Sequence, residues 1–144
     1  MSTDESNPEP TPDPAALPVR RIAAAIVVRA GRVLVQTRVA GPWAGYWEFP
    51  GGGIEEGEDA SAAAVRECRE ELSLPVRAVA PLHQIEWAYP TVRVQVNFIL
   101  CDAAGDPQPL EGQDIAWAGP EDLAALRFLP ANESMLALLR ESLR

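Results

Sequence analysis

Apolar positions along the chain predict two groups of strands. Residues Ile22–Val28 and Val33–Thr37 are β-prone runs, and the Ala30–Gly31 pair between them is typical of a hairpin turn. Further on, Val92, Val94, Val96, Phe98 and Leu100 alternate with Arg93, Gln95 and Asn97, and this period of two predicts a strand. We therefore expect strands on both sides of the middle of the chain.

Helical patterns lie between and after these strands. Residues Glu58–Leu72 have helical composition, with acidic residues in the first turn, where the helix dipole favours negative charge. Pro75 ends this helix, Pro120–Asp122 begin a short helix, and Glu133–Arg144 form a second full one. Residues Gly41–Gly57, rich in glycine, proline and tryptophan, are predicted to form a loop. This order of elements predicts an α+β fold rather than a repeating βαβ array.

Composition and charge narrow the function. The 144 residues carry 12 basic side chains, all of them arginine, against 21 acidic ones, for a net charge of −9. This length suits one domain with one sizeable core. A sequence-independent nucleic-acid binder needs a basic footprint, so the charge excludes direct nucleic-acid binding of that kind. Because the chain contains no lysine, Schiff-base chemistry and a phosphate-loop lysine are excluded as well.

The N-terminal segment differs in composition from the rest. Residues 1–18 contain five prolines, four acidic residues and no basic residue. Such a segment has little apolar surface to offset its ordering entropy, so we predict a disordered acidic tail over 1–18 and a folded domain over 19–144.

Membrane and disulfide signals are weak. The longest apolar run, Ile22–Val28, is far shorter than the ~20 residues that span a bilayer, and the N-terminus lacks the pattern of a signal peptide. Two cysteines, Cys68 and Cys101, are too few for a disulfide framework or a four-ligand zinc site, and Cys68 has the helical spacing of a core residue. We expect a cytoplasmic protein without membrane contact, either a monomer or a homodimer.

The candidate chemistry lies in the centre of the chain. Three consecutive glycines, Gly51–Gly53, precede the acidic helix, and a glycine backbone can approach a phosphate or a metal closely. Glu67, Glu70 and Glu71 are spaced so that all three project from one helix face. Clustered carboxylates on a rigid element suit Mg²⁺ or Mn²⁺, which bridge to substrate phosphates. The alternative is an acidic face that is simply solvated.

A family resemblance favours the metal site. The sequence from Gly52 to Leu74 resembles the Nudix box, Gly-x5-Glu-x7-Arg-Glu-U-x-Glu-Glu-x-Gly-U, in which U is a bulky apolar residue. The matching positions are Gly52, Glu58, Arg66, Glu67, Cys68, Glu70, Glu71 and Leu74. One position departs from the pattern, because Ser73 stands where the box has its last glycine, a residue suited to the left-handed conformation after a helix.

Three segments outside the box resemble the MutT branch of this family, whose members hydrolyse oxidised guanine nucleotides. Trp47–Gly52 is similar to the segment that leads into the box, and Phe128–Glu133 is similar to the segment that carries a base-reading asparagine. Glu111–Gln113 resembles a loop that brings a further carboxylate to the metal. The branch usually has lysine immediately after the box position that Gly52 occupies, whereas this chain has Gly53 there.

The resemblance implies a fold, a reaction and a cofactor. The fold is an α/β/α sandwich with a mixed β-sheet. The reaction is hydrolysis of a nucleoside triphosphate to the monophosphate and pyrophosphate with Mg²⁺, or Mn²⁺, as cofactor. The implied metal ligands are the Gly51 carbonyl and the carboxylates of Glu67, Glu70, Glu71 and Glu111.

The resemblance also implies roles for individual residues. Glu67 is the general base or a third metal carboxylate, and Arg66 pairs with Glu58 to orient the loop against the helix. The implied substrate-binding residues are Arg38, which faces phosphate, Gly52, Phe49 and Asn132. Packing is the alternative for Phe49, and a surface charge is the alternative for Arg38.

Asn132 bears on the choice of substrate. Its carboxamide can accept a hydrogen bond from N7–H of 8-oxoguanine while donating to O6, a pairing that guanine cannot supply. The alternative is a helix N-cap, because Asn132 precedes the last predicted helix and asparagine is a preferred cap. We expect an 8-oxo-dGTP diphosphatase. The alternatives are hydrolysis of CTP or another triphosphate, and a non-catalytic domain that recognises oxidised guanine.

Overall fold

The computed structural model describes residues 13–143 and contains a mixed β-sheet flanked by helices. Its elements are β1 (Val19–Arg29), β2 (Arg32–Thr37), β3 (Trp47–Glu48), β4 (Gly51–Gly53), α1 (Ala60–Leu72), β5 (Arg77–Ala88), β6 (Arg93–Asp102), β7 (Ile115–Ala118), α2 (Pro120–Ala125) and α3 (Glu133–Ser142). Most of the predicted tail, residues 1–12, lies outside the described residues, and Pro14–Ala16 form one 3-10 turn. Within residues 13–143 no helix is long and apolar enough to cross a membrane.

The long strand β1 organises the sheet. The main strand order is β3-β2-β1-β6-β5, with β7 paired to β2 and β4 paired to β1. β1 runs parallel to β6 along most of its length. On its other side, β1 pairs first with β4, at Ile22↔Gly53, and then with β2, at Val28↔Val33. The sheet therefore opens between β4 and the β2–β3 pair, and the α+β prediction with a mixed sheet is confirmed.

Two apolar cores cover the two faces of this sheet. The first lies against α1, and its buried residues include Ala23, Leu34, Cys68, Leu72 and Ile99. The second lies against α2 and α3, and its buried residues include Ala24, Val35, Phe49, Val96, Phe98 and Leu136. Helices on both faces make the predicted α/β/α sandwich.

The central helix begins later than the sequence pattern suggested. It starts at Ala60 rather than Glu58, because the Asp59 carboxylate accepts a hydrogen bond from the Ala62 N–H at 2.8 Å and caps the helix. It ends at Ser73, which adopts the left-handed conformation with φ 51° and donates its N–H to the Arg69 carbonyl. The serine thus takes the helix-ending conformation for which the box provides a glycine.

Several strands were missed because they lie in the predicted loop or break the strand pattern. β3 and β4 are two and three residues long and fall inside Gly41–Gly57. β5 is an edge strand that contains Pro81 and two register shifts, features tolerated only where one side of a strand lacks a partner. The strand predicted over 92–100 is confirmed as β6, although burial alternates only in its first half. Asn97 and Ile99 are both buried, because β6 is an inner strand covered on both faces.

Candidate active site

A cleft of about 870 Å³ opens where the sheet splits between β4 and the β2–β3 pair. Its walls come from both faces of the sheet. The acidic half, on the α1 side, is lined by Gln36, Arg38, Glu48, Glu67, Glu71 and Glu111. The apolar half, on the α3 side, is lined by Ile22, Ala24, Phe49, Val94, Val96 and Asn132. The glycine strand β4 lies between the two halves.

Glu71 is held in place at the base of the acidic half. Its Oε1 accepts hydrogen bonds from the Gly51 N–H at 3.1 Å and from Gln36 Nε2 at 3.0 Å. Gln113 donates to Gln36 Oε1 at 3.2 Å and to the Glu71 carbonyl at 3.1 Å. Gln113 Oε1 accepts from the Glu111 N–H at 2.9 Å, which fixes the loop carrying that carboxylate.

The two glutamines were missed by sequence reasoning. Gln36 and Gln113 are buried, at 2% and 4% exposure, and they orient Glu71 rather than occupying an apolar core. The available signal was Gln36 itself, a polar residue that ends the apolar run Val33–Val35. Gln113 carried no signal beyond its nearness to Glu111.

Negative charge accumulates in this half of the cleft. Burial, followed by repulsion from Glu67, raises the pKa of Glu71 to about 8. Burial also raises the pKa of Glu48, although the neighbouring Arg38 opposes the shift. Because ionised carboxylates are disfavoured here in the protein alone, the site is suited to a bound cation.

The donor set fits a hard divalent cation. Glu67 and Glu71 present carboxylate oxygens to the cleft beside the Gly51 backbone, and Mg²⁺ and Mn²⁺ prefer such oxygen donors. Within the described residues, no three His, Cys, Asp or Glu side chains already converge as a metal-ligand group. Glu70 and Glu111 stand apart from the pair in different ways. Glu111 lines the cleft, whereas the Glu70 side chain is 58% exposed and pairs with Arg66 at 3.1 Å.

Arg66 joins the acidic helix to the loop before it. Its Nε and Nη2 donate to the two Glu58 oxygens at 2.8 and 3.0 Å, as predicted from the sequence. Nη2 also donates to the Gly53 carbonyl at 2.9 Å, and Nη1 donates to Glu67 Oε1 at 3.0 Å. The ion pair lowers the pKa of Glu58 to about 2. Arg66 therefore positions β4 and holds one oxygen of the Glu67 carboxylate without lining the cleft.

Gly52 allows the helix and the glycine strand to approach closely. A Cβ added at Gly52 would lie 2.6 Å from Glu67 Oε1 and 2.7 Å from its Cδ. Any larger residue would push the Glu67 carboxylate out of place. The spacing of Gly52 and Glu67 in the sequence is thus explained by direct contact.

The apolar half contains a free carboxamide. Asn132 is 6% exposed and lines the cleft, and its side chain makes no capping hydrogen bond to α3. Asn132 occupies the N-cap position of α3 as that alternative expected, but its side chain does not cap the helix, and its backbone angles are helical rather than the extended angles of a capping residue. Phe49 is 3% exposed and packs against Phe98 and Phe128, so most of its ring serves the core.

An aromatic cluster borders the cleft, and sequence reasoning did not assemble it. Trp43 makes edge contacts with Tyr46 and Tyr89, at ring-centroid distances of 5.0 and 5.6 Å. The Tyr89 hydroxyl accepts a hydrogen bond from the Ala131 N–H at 3.3 Å. The loop after β2 is thereby tied to the segment that carries Asn132. Arg38, at the start of this loop, pairs with Glu48 at 3.1 Å.

The raised pKa of Glu71 predicts that stabilisation of the protein by Mg²⁺ depends on pH. Its pKa is raised from 4.5 to about 8, so in that window the folded state holds a proton that the unfolded state has lost. The free energy of unfolding of the metal-free protein should therefore fall as pH rises through this window. Mg²⁺ binds the ionised carboxylates, so its stabilisation should grow over the same window; a ligand at 100 times its Kd adds about 2.7 kcal/mol.

Thermal unfolding with and without Mg²⁺, followed by circular dichroism across this pH range, measures the effect. We expect the Mg²⁺-induced rise in melting temperature to increase towards alkaline pH. A rise of equal size at every pH, or no rise at all, would contradict the assignment of Glu71 to the metal.

The chain is similar in sequence and structure to known proteins. The NUDIX domain family matches the chain over residues 19–139. The 8-oxo-dGTP diphosphatase of Escherichia coli (strain K12) is 36% identical over 94 residues, which cover 65% of this chain and 73% of that protein. The CTP pyrophosphohydrolase of the same strain is 34% identical over 118 residues, which cover 80% of this chain and 87% of that protein. The crystal structure of the MutT NUDIX hydrolase from Burkholderia pseudomallei superposes with a TM-score of 0.75 at 26% identity, covering 83% of this chain and 96% of that one.

Proposed function

The chain belongs to the Nudix hydrolase family, and from this premise we propose that it hydrolyses 8-oxo-dGTP to 8-oxo-dGMP and pyrophosphate. Such an activity would remove an oxidised, mutagenic precursor from the nucleotide pool before DNA synthesis. The observation that carries the proposal is Asn132, a buried asparagine with an uncapped carboxamide on the wall of the same cleft as Glu67 and Glu71. Nudix hydrolases act on nucleotides with a divalent metal, for which we propose Mg²⁺, with Mn²⁺ as a substitute.

The acidic half of the cleft would bind the cation and the phosphates, and the apolar half would bind the base. Glu67, Glu70, Glu71, Glu111 and the Gly51 carbonyl are the groups that would hold the cation. When bound, the cation supplies charge neutralisation of the phosphate oxygens and acidifies a water molecule. Glu70 would have to leave Arg66 and rotate towards the cleft to take part.

The proton of the attacking water needs an acceptor, and Glu67 is the candidate. Its Oε1 is occupied by Arg66 Nη1 at 3.0 Å, which leaves Oε2 to receive the proton. Arg66 holds the carboxylate in one orientation, and a general base must be positioned within reach of the proton that it accepts. Arg38 and Glu48 both line the cleft, and Arg38 Nη1 lies 3.1 Å from Glu48 Oε1. When substrate binds, Arg38 would leave Glu48 and pair with a phosphate.

The base would enter the apolar half and meet Asn132. In 8-oxoguanine N7 carries a hydrogen, so Asn132 Oδ1 can accept from N7–H while Nδ2 donates to O6. Guanine presents an acceptor at N7, which leaves the buried Oδ1 facing another acceptor. A buried polar group that the wrong substrate leaves unpaired discriminates by about 10⁴-fold in favourable cases.

Asn132→Ala should therefore reduce the preference for the oxidised base more than it reduces total hydrolysis. We expect the ratio of kcat/KM for 8-oxo-dGTP over dGTP to fall by about a hundredfold, because both hydrogen bonds to the base are lost. The melting temperature should change little, since no capping bond is removed. Steady-state kinetics on both substrates measure the ratio, and equal losses on both would count against base reading.

A second candidate substrate is CTP. The CTP pyrophosphohydrolase of E. coli matches over a longer stretch than the 8-oxo-dGTP diphosphatase does, at a similar identity. The glycine at position 53, where the MutT branch usually has lysine, also distinguishes this chain from that branch. A domain that only recognises oxidised guanine has less support, because pure recognition does not require the carboxylates Glu67, Glu70 and Glu71.

The reaction class is tested by its products. Full-length protein is incubated with 8-oxo-dGTP and with ADP-ribose, with and without Mg²⁺, and the products are separated by chromatography. The proposal predicts 8-oxo-dGMP and pyrophosphate, formed only with the metal. Release of 8-oxo-dGDP and orthophosphate, or hydrolysis of ADP-ribose in place of the triphosphate, would overturn it.

A further inference from the structure

We propose that Arg20 is a specificity-determining residue that donates hydrogen bonds to a carbonyl oxygen of the nucleobase. It would thereby favour a base that carries a carbonyl group over adenine. The inference rests on the proposed function, because it places a nucleotide in the cleft. It adds a residue of β1 that lies outside the box and outside the Asn132 segment.

Strand geometry places Arg20 on the apolar side of the sheet. Side chains alternate along a strand, so Arg20 shares a face with Ile22 and Ala24, and Ala24 belongs to the core under α3. In the parallel pairing with β6, Arg20 lies opposite Val94, a residue of the same core. Arg20 therefore extends the wall of the apolar half towards its mouth.

The glycine strand confirms which side Arg20 occupies. A Cβ at Gly52 would meet the Glu67 carboxylate, whereas a Cβ at Gly53 would meet the Arg20 guanidinium, with Nη2 at 3.3 Å and Nε at 3.6 Å. Glu67 and Arg20 thus lie on opposite faces of β4. The guanidinium lies over Gly53 in space that a larger residue there would take.

The charge of Arg20 is available to a ligand. Arg20 and Arg38 are the arginines among the cleft-lining residues, and Arg38 pairs with Glu48 at 3.1 Å. No carboxylate within residues 13–143 forms a salt bridge with Arg20, although the opposite half of the cleft is acidic. A guanidinium has five N–H donors and no acceptor. It can therefore donate to an exocyclic carbonyl oxygen, whereas the exocyclic group of adenine is a donor amine and leaves only ring nitrogens as acceptors.

Arg21 provides a matched control. It is adjacent in sequence, carries the same charge and points to the other face of β1. There its Nε donates to Gln95 at 3.2 Å, and it does not line the cleft. Arg20→Met and Arg21→Met remove the same charge from neighbouring exposed positions, so a general electrostatic effect would appear in both variants. Arg20→Lys keeps the charge and loses the planar fork.

The test measures binding of nucleoside monophosphates by isothermal titration calorimetry, so that it does not depend on turnover. The ligands are 8-oxo-dGMP and dCMP, whose bases carry carbonyl groups, and dAMP, whose base has none. We expect Arg20→Met to weaken the tighter of the two carbonyl-bearing ligands about tenfold and dAMP less than twofold. Arg21→Met should leave all three unchanged, and Arg20→Lys should recover part of the loss.

Two results would overturn the inference. Equal weakening of all three ligands by Arg20→Met would mean that Arg20 contacts the phosphate or the sugar. Unchanged binding of the carbonyl-bearing ligands, or no binding of either by the unsubstituted protein, would remove the role altogether. Because dCMP is included, the role of Arg20 can still be tested if the protein prefers CTP to 8-oxo-dGTP. A failure of the proposed substrate can therefore be distinguished from a failure of the proposal for Arg20.

Discussion

Glu71→Gln should lower kcat about a thousandfold while raising the stability of the metal-free protein at alkaline pH. Glutamine keeps the acceptor oxygen that the Gly51 N–H and Gln36 now bind at 3.1 and 3.0 Å, so the local geometry should survive. It removes the charge that we propose as a ligand of the cation. Burial and repulsion from Glu67 raise the pKa of Glu71 to about 8, so above that pH the unsubstituted protein carries an unfavourable buried charge that glutamine lacks. Unfolding of the variant should therefore cost about 2 kcal/mol more at those pH values.

The opposite signs of these two effects make the prediction specific. If the role of Glu71 were structural, the substitution would lower both the stability and the activity of the protein. Glu141→Gln, an exposed carboxylate at the end of α3, is the control and should alter neither quantity. Kinetics with Mg²⁺ and thermal unfolding without metal provide the two measurements. Retained turnover, or a less stable variant, would show that Glu71 is not a metal ligand.

Arg66→Gln should lower both activity and stability. The guanidinium donates to Glu58, Glu67, Glu70 and the Gly53 carbonyl, at distances between 2.8 and 3.1 Å. Its side chain is 22% exposed, so removing it leaves half-buried carboxylates without a counter-charge. We expect a loss of about 2 kcal/mol in stability and about a hundredfold in kcat, because β4 and Glu67, the proposed general base, lose their positioning group.

The pH dependence of this loss can be stated with its sign. The ion pair lowers the pKa of Glu58 from 4.5 to about 2, so its stabilisation is present above 4.5 and disappears as pH falls through 2. The stability difference between Arg66→Gln and the unsubstituted protein should therefore shrink in acid. Arg69→Gln, an exposed arginine of the same helix, should stay within about 0.5 kcal/mol of the unsubstituted protein at every pH. A loss of equal size with Arg69→Gln would mean that only the net charge of α1 matters.

The elements that have a clear local sequence pattern could be predicted from the sequence. The hairpin, the central helix and the inner strand β6 follow from periodicity, and the box fixed the helix that bears Glu67 and Glu71. The start of that helix could not be placed by composition, because Glu58 and Asp59 are both acidic and only one of them caps the helix. β5 was not predicted because it contains Pro81. Proline is tolerated there because β5 is an edge strand, and the position of a strand in the sheet is not visible in its local sequence.

The candidate site shows the same division between local and long-range information. The contact between Gly52 and Glu67 and the pairing of Arg66 with Glu58 lie within the box, and both are present in the structure. Gln36 and Gln113 act from β2 and from the loop before β7, and their contact with Glu71 depends on how the sheet folds. The side chain of Asn132 does not cap α3 for a related reason, because the 3-10 turn Pro130–Asn132 gives it helical backbone angles before α3 begins.

We propose that one cleft combines metal-assisted hydrolysis with recognition of an oxidised base. The most direct test of this proposal is to supply the full-length protein with 8-oxo-dGTP, dGTP and CTP at equal concentrations with Mg²⁺, and to resolve the products by chromatography. We predict 8-oxo-dGMP and pyrophosphate, formed with a kcat/KM at least about tenfold above the other two and lost without the metal. Preferential hydrolysis of CTP, or equal hydrolysis of dGTP and 8-oxo-dGTP, would contradict the role of Asn132, and no metal-dependent hydrolysis of any triphosphate would contradict the account as a whole.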